Sequence, residues 1–475
     1  MATVVAAARS SHAVAWGDQA VLQLCVDRAW RGAQLVGPYS RFGWSHPGPD
    51  VFYLLALPYR LLGSDAAALM AASVLLAAAS ALATVVFVRR WFPPPAAWWA
   101  GAVVLAGWAA LGPATVADTW NPVWVIGPTA SFVVAAAALG AGRPWALPWM
   151  VAFASLVVQT DVSTAAVVAV VGVTALAAAI VAWRRPAGGP AGARGAGTPL
   201  AVSVVVVAVL WAPAVAQQVA GPGPGNLSAL IRFATAGHPA HGTGEAVRAV
   251  AGALWPPLRG RLAGAAPSLA SAGAVVALVA GAAALIAFAG WRRRLPAAAA
   301  AGAVVVAGLA AAVAGATRVT GPLYPYLTEW MSALWVPLVV GAGSLTAPGR
   351  GRRPLWAVGA AAVAGTAVVV QVALVPPTGP AQGPTVAALW ASVRDRLPAP
   401  RAGPVDVRVG VPARWPWAAG ILVDLTHGGW TATTQPEWLF LFGRSFAPAA
   451  RPAAVVTVTD DPRTGAPAAA VTVPG

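Results

Sequence analysis

This chain concentrates its reactive side chains at Asp18 and in the stretch Gly37-Pro38-Tyr39-Ser40-Arg41-Phe42-Gly43-Trp44-Ser45-His46-Pro47-Gly48-Pro49. A carboxylate held at a membrane face can take a proton from a hydroxyl. At a helix start it can equally serve as an N-cap. The stretch holds three prolines, three glycines, three aromatic residues, an arginine and a histidine. Its prolines and glycines forbid a long helix, and Pro47 biases His46 toward an extended backbone. It reads as a rigid polar loop in a hydrophobic chain.

Three later motifs add polar groups. Asp118-Thr119-Trp120-Asn121-Pro122 is short and closed by proline, and Gln159-Thr160-Asp161 is a tight connection. An aspartate this close to a bilayer edge is costly unless paired or wetted. Gly321-Pro322-Leu323-Tyr324-Pro325-Tyr326, with Arg318 and Glu329, reads as a re-entrant piece. The first two motifs also read as plain turns. His238 and His241 offer two metal ligands with only Glu245 near. The one cysteine, Cys25, excludes an intrachain disulfide and argues against a cysteine-based metal cluster. No nucleophile elbow, P-loop or zinc motif is present. The cofactor stays open: a divalent cation is one option, without a clear motif.

Composition says what must hold these groups. Of 475 residues, 59% are hydrophobic and 9% charged, whereas soluble domains carry about 25% charged residues. An integral membrane protein, with the lipid bilayer as partner, is expected. A net charge of +16 would suggest nucleic acid in a soluble protein. Here every basic residue is an arginine and the arginines cluster between apolar segments, so no nucleic-acid partner is expected. Spans need roughly 20 apolar residues. Candidates are 66–88, 96–116, 122–142, 144–160, 162–183, 198–217, 266–290, 295–315, 326–348 and 354–375. The expected fold class is α: a polytopic transmembrane helix bundle of about ten or eleven spans, with outer-face surface helices and a small C-terminal α/β domain.

Alternating from the first span, one side receives Arg89 and Arg90, Arg143, then Arg184, Arg185 and Arg194, then Arg292 to Arg294, then Arg350, Arg352 and Arg353. That is the positive-inside pattern of a multi-pass plasma-membrane protein. Asp18, Asp27, Asp50, Asp118, Asp161, Glu245 and Glu329 then lie outside or at the outer face, and chemistry is expected there. Residues 18–65 need an anchoring span before them. Residues 1–17, broken by Arg9, Ser10, Ser11 and His12, are poor material for it. Either the first span is short and imperfect, or the chain start is truncated.

In residues 18–31, Gln19, Gln23, Asp27 and Arg31 recur every fourth residue and make one polar stripe. A helix lying on the membrane surface is expected, with Asp27 and Arg31 a solvated pair. Residues 50–63 read as a second surface helix, capped by Asp50 and ended by Gly63. At about 1.5 Å per residue it is too short to span.

Helix, proline-containing loop and second helix after an outer aspartate resemble the first outer loop of GT-C superfamily glycosyltransferases. Those include protein O-mannosyltransferases and lipid A aminoarabinose transferases. More narrowly, Gly17-Asp18-x-Ala20, the 37–53 stretch, Asp118 to Pro122 and Gln159-Thr160-x-Val162 resemble an actinobacterial branch of such proteins. About 45 residues carry the likeness, with topology alone beyond them. The resemblance implies inverting transfer of a sugar from a polyprenyl-phosphate donor to a cell-envelope glycan, lipid or protein acceptor. It maps the family's acidic residue to Asp18, as general base; a second acidic residue, frequent in the family, is Gln19 here.

Such a transfer suits the residues. Arg41 can bind the leaving phosphate bidentately, or contact lipid headgroups. His46 can bond phosphate or a sugar hydroxyl, or pack the loop. Tyr39, Phe42 and Trp44 can stack on sugars, or anchor at the interface. Arg318 is a second phosphate candidate, and Asn121, Gln159 and Tyr324 complete the candidate substrate contacts. Expected domains are 1–65, the N-terminal segment and first outer loop; 66–375, the transmembrane domain; and 376–475, an extracytoplasmic α/β domain. In the last, 405–411 and 453–459 read as strands and 416–427 as a helix; it either binds acceptor or caps the cavity. Rival readings are a transporter or flippase of a lipid-linked glycan, and an inactive relative acting as an assembly partner.

Overall fold

The computed structural model describes residues 14–184, 196–221, 223–255, 268–346 and 383–474. Residues 1–13, Arg185, Arg194, Arg350, Arg352, Arg353, the candidate span 354–375 and residues 376–382 of an expected linker over 376–384 lie outside the described residues.

Two helices precede the membrane bundle: α1 (Gly17–Trp30) and α2 (Asp50–Leu61). Then follow α3 (Ala66–Trp91), α4 (Pro94–Leu111), α5 (Ile126–Gly140), α6 (Leu147–Thr160), α7 (Ala165–Arg184) and α8 (Gly197–Ala220). Two short helices, α9 (Asn226–Thr235) and α10 (Thr243–Leu254), lead to α11 (Leu269–Arg292), α12 (Pro296–Ala316) and α13 (Trp335–Leu345).

Among the described residues, seven helices are long and apolar enough to cross a membrane, including Asn121–Gly140 and Val162–Arg184. The expected span 144–160 is shorter: it opens with a tight turn, Pro144–Ala146, before the 14 residues of α6. The expected span 326–348 likewise opens with tight helical turns, and its helix is the 11-residue α13.

The span Asn121–Gly140 is buried throughout. Its run of four alanines, Ala135 to Ala138, lets neighbouring backbones approach closely, as small residues do between membrane helices. Polar groups in this interior are paired. Thr84 and Ser131 share a hydrogen bond of 2.9 Å, and the Trp124 indole donates to Ser73 Oγ at 2.8 Å. In a low-dielectric interior each would otherwise carry a desolvation cost.

The C-terminal unit comprises α14 (Gly383–Arg394), β1 (Val405–Val409), α15 (Trp415–His427), β2 (Ala432–Thr434), β3 (Ala454–Asp460) and β4 (Pro467–Thr472). The sheet order is β2-β1-β3-β4, with β1 parallel to β2 and β3 and with β4 antiparallel to β3. Val405, Val407 and Val409 alternate into its core. Thus a polytopic helix bundle carries a small α/β domain.

Helix α1 differs from the expected surface helix. Ala20, Val21 and Leu24 join the core of the α/β domain, while Leu22, Cys25, Val26 and Ala29 pack with α2 and α3. Its polar stripe is buried at Gln23 and Asp27. Asp27 accepts from His427 at 2.9 Å instead of forming a solvated pair with Arg31. The stripe faces another domain, so its polarity answers partners rather than water. Asp50 departs too: Pro49 occupies the N-cap position, no side chain caps the helix, and Asp50 Oδ2 is buried without a partner. Burial pushes the Asp50 carboxyl up to about 7.

Candidate active site

The 37–49 stretch is a small hairpin. Gly37 N–H donates to His46 O, His46 N–H to Pro38 O and Ser40 N–H to Trp44 O, at 2.9, 2.7 and 2.8 Å. The turn exposes Arg41 and Phe42, while Trp44, Ser45 and His46 are buried. The hairpin is seated on α6. An added Cβ on Gly37 would lie 2.5 Å from the backbone Gln159 O, so glycine lets the two segments meet, and Gly48 sits against the Gln159 side chain. At the start of α1, Gly17 takes φ +56°, turning extended Trp16 into a helix whose second residue is Asp18.

These elements border a cavity of about 1050 Å³. It gathers Asp18, Tyr39, Arg41, Trp44, His46, Asn121 and Arg318 from separate loops. Gln159 and Tyr324 do not line it. Gln159 is buried behind Gly48 and donates to Leu210 O at 3.1 Å. Tyr324 stacks at 5.4 Å on Tyr326, which does line the cavity. Asn121 also donates to Thr160 O at 3.3 Å, tying two connections together.

Asp18 accepts a hydrogen bond from Tyr39 Oη. Burial raises its pKa, against the opposing pull of bonds from Tyr39 and the Trp120 side chain. Burial, and then the neighbouring Asp18 charge, hold the Tyr39 phenol well above its ordinary range. Gln19 donates to Asp118 Oδ1 at 3.4 Å. A second carboxylate, from the 118–122 connection, thus lies beside Gln19. Burial raises the Asp118 pKa, with further rises from Asp18 and Glu329.

Arg41 donates to Thr320 O at 3.3 Å and lies over the rings of Phe42 and Tyr324. Among the described residues, no carboxylate forms an ion pair with Arg41 or Arg318. His46 Nδ1 accepts from Val162 N–H at 2.9 Å. That fixes the neutral ring's proton on Nε2, and burial lowers its pKa. Phe42, Trp44 and Phe233 form an aromatic cluster at 4.8 to 6.3 Å. Beyond it, Ala165, Ala166, Ala169, Val170, Leu230 and Ile231 give the cavity an apolar wall.

His238 stacks on Phe233 and bonds its carbonyl, whereas His241 bonds Glu245 and Gly321 O. The two histidines therefore serve different partners. Among the described residues, no three His, Cys, Asp or Glu side chains converge to hold a metal ion.

Sequence reasoning passed over Trp120, Tyr326, Asp118 and Phe233. The first three lie in motifs that were singled out, but spacing does not say which member of a short loop turns inward. Phe233 sits in α9, whose amphipathic pattern was the available signal.

The fold has a solved counterpart. The crystal structure of ArnT from Cupriavidus metallidurans in the apo state matches with a TM-score of 0.58. The match covers 99% of this chain and 96% of that one, at 13% identity. This chain has an ArnT-like fold. No protein-family model matches it, and no curated protein does.

Proposed function

We propose that this protein is a membrane glycosyltransferase. It moves a sugar from a polyprenyl-phosphate donor to an acceptor at the extracytoplasmic face, with inversion, and Asp18 is its general base. The observation that supports this reading is one cavity lined by a half-buried carboxylate, Asp18, and by two arginines, Arg41 and Arg318, that form no ion pair with a carboxylate among the described residues. The ArnT-like fold and the sequence resemblance support the same class of reaction.

In the proposed step an acceptor hydroxyl gives its proton to Asp18. Its oxygen attacks the anomeric carbon from the face opposite the phosphate. The bond from that carbon to the phosphate oxygen breaks, and polyprenyl phosphate leaves with the electron pair. Arg41 and Arg318 meet the charge on the leaving group. A carboxyl raised above its usual range is the stronger base in its ionised form. Tyr39 orients it, His46 offers a fixed neutral N–H, and the apolar wall receives the first isoprene units.

The test is the purified chain in proteoliposomes with a radiolabelled polyprenyl-phosphate sugar and a cell-envelope extract as acceptor. A new glycosidic bond of inverted configuration, with stoichiometric release of polyprenyl phosphate, is expected. Movement of the labelled lipid between leaflets without a new bond would make the protein a transporter and end this reading.

A further inference from the structure

Among the described residues, none of those lining the cavity belongs to the α/β domain. The domain instead grips the helix that carries Asp18. Trp417 meets Trp16 edge to face at 5.6 Å, just before α1 begins. Trp415 meets the Tyr39 ring edge to face at 6.3 Å and 82°. Tyr39 is the residue whose phenol donates to Asp18. At the far end of α1, His427 bonds Asp27 at 2.9 Å and Arg28 donates to Phe442 O at 2.7 Å. The tryptophans flank the Asp18 end of α1, and the polar bonds hold its other end.

We propose that the α/β domain is a positioning device for the general base, acting through Trp415. The Trp415 ring holds Tyr39 in the orientation that donates to Asp18, while the His427–Asp27 bond fixes the axis of α1. Trp415 is thus a positioning residue that touches no substrate, and the inference rests on the glycosyltransferase reading above. Edge-to-face aromatic pairs favour one ring orientation, which is what a directional hydrogen bond from the phenol requires. The groups near Asp18 are Tyr39, Trp120 and Tyr326, with Asp118 reached through Gln19.

The experiment compares Trp415→Ala and Trp415→Phe in the full-length protein, alone and with Tyr39→Phe. Trp415→Ala is expected to lower kcat about tenfold with KM changed less than about twofold. Trp415→Phe should keep most of the activity. The acid limb of the pH profile should move upward in Trp415→Ala, because a weaker bond from Tyr39 favours the charged carboxylate less. In the Tyr39→Phe background, Trp415→Ala should add almost nothing, the non-additivity of residues acting as a unit.

A second readout needs no turnover. A hydrophobic carbodiimide modifies the protonated carboxyl, and peptide mass spectrometry gives the pH midpoint at Asp18. That midpoint should rise in Trp415→Ala and stay fixed in Trp415→Phe. Additive losses, a pure KM effect or an unmoved Asp18 midpoint would overturn the proposal. An absence of any sugar transfer by the wild type would refute the reading of function instead, and the carbodiimide result would still decide whether Trp415 acts on Asp18.

Discussion

The carboxylate and the arginines that line the cavity are held on opposite principles. Around Asp18 the polar groups are already partnered: Tyr39 and Trp120 reach Asp18, and Gln19 reaches Asp118. Around Arg41 a guanidinium has one carbonyl at 3.3 Å and two aromatic faces, and Arg318 shares the same cavity wall. Preorganised donors suit a group that must exchange a proton at a fixed place. Exposed guanidiniums without a carboxylate ion pair among the described residues suit a site that meets an anion, because each can bond its oxygens bidentately. The proposed reaction needs both at once.

Several changes would break or sharpen that contrast. Arg41→Ala or Arg318→Ala should weaken binding of undecaprenyl phosphate, read by tryptophan quenching, and lower kcat about a hundredfold, as for loss of a transition-state donor. Equal binding of farnesol and farnesyl phosphate by the wild type would deny the arginines their role. Tyr39→Phe should cost about tenfold in kcat, roughly what one lost hydrogen bond is worth. Its acid limb should shift upward in pH, since the phenol favours the ionised form of Asp18. His46→Gln, which keeps an acceptor and a donor, should change turnover only a few-fold; a hundredfold loss would assign His46 a proton-transfer role.

Away from the cavity, Asp50 predicts a purely thermodynamic effect. Its folded pKa of about 7 lies above its unfolded value, so between these the folded state binds the extra proton. Stability from this group is therefore lost as pH rises toward 7. Asp50→Asn should raise the melting temperature by several degrees at pH 8 and leave it nearly unchanged at pH 4. Calorimetry at the two pH values checks this.

Much of the bundle was legible because a run of about 20 apolar residues leaves a helix few alternatives in a membrane. The strands over 405–409 and 454–460 were visible in their alternation. The short strands β2 and β4 were not, since three to six residues of alanine and threonine carry little period. At the site, Asp18, Arg41 and His46 stood out as rare polar residues beside apolar runs. The company they keep did not. Tyr39 looked like a sugar platform because sequence cannot show that Asp18, 21 residues earlier, takes its hydrogen bond. Asp27 looked solvated because its partner, His427, stands 400 residues away. Gln159 looked like a ligand contact because nothing in the sequence shows that Gly48 closes over it.

The central claim is that Asp18 acts as a base rather than as a structural cap. The most direct measurement is paired, on Asp18→Asn in proteoliposomes: undecaprenyl phosphate binding and single-turnover sugar transfer. Asparagine keeps the shape and an acceptor oxygen but takes up no proton. The account predicts binding within about twofold of wild type and transfer reduced by about 10²- to 10⁴-fold. Transfer at the wild-type rate, with intact folding and binding, would contradict it.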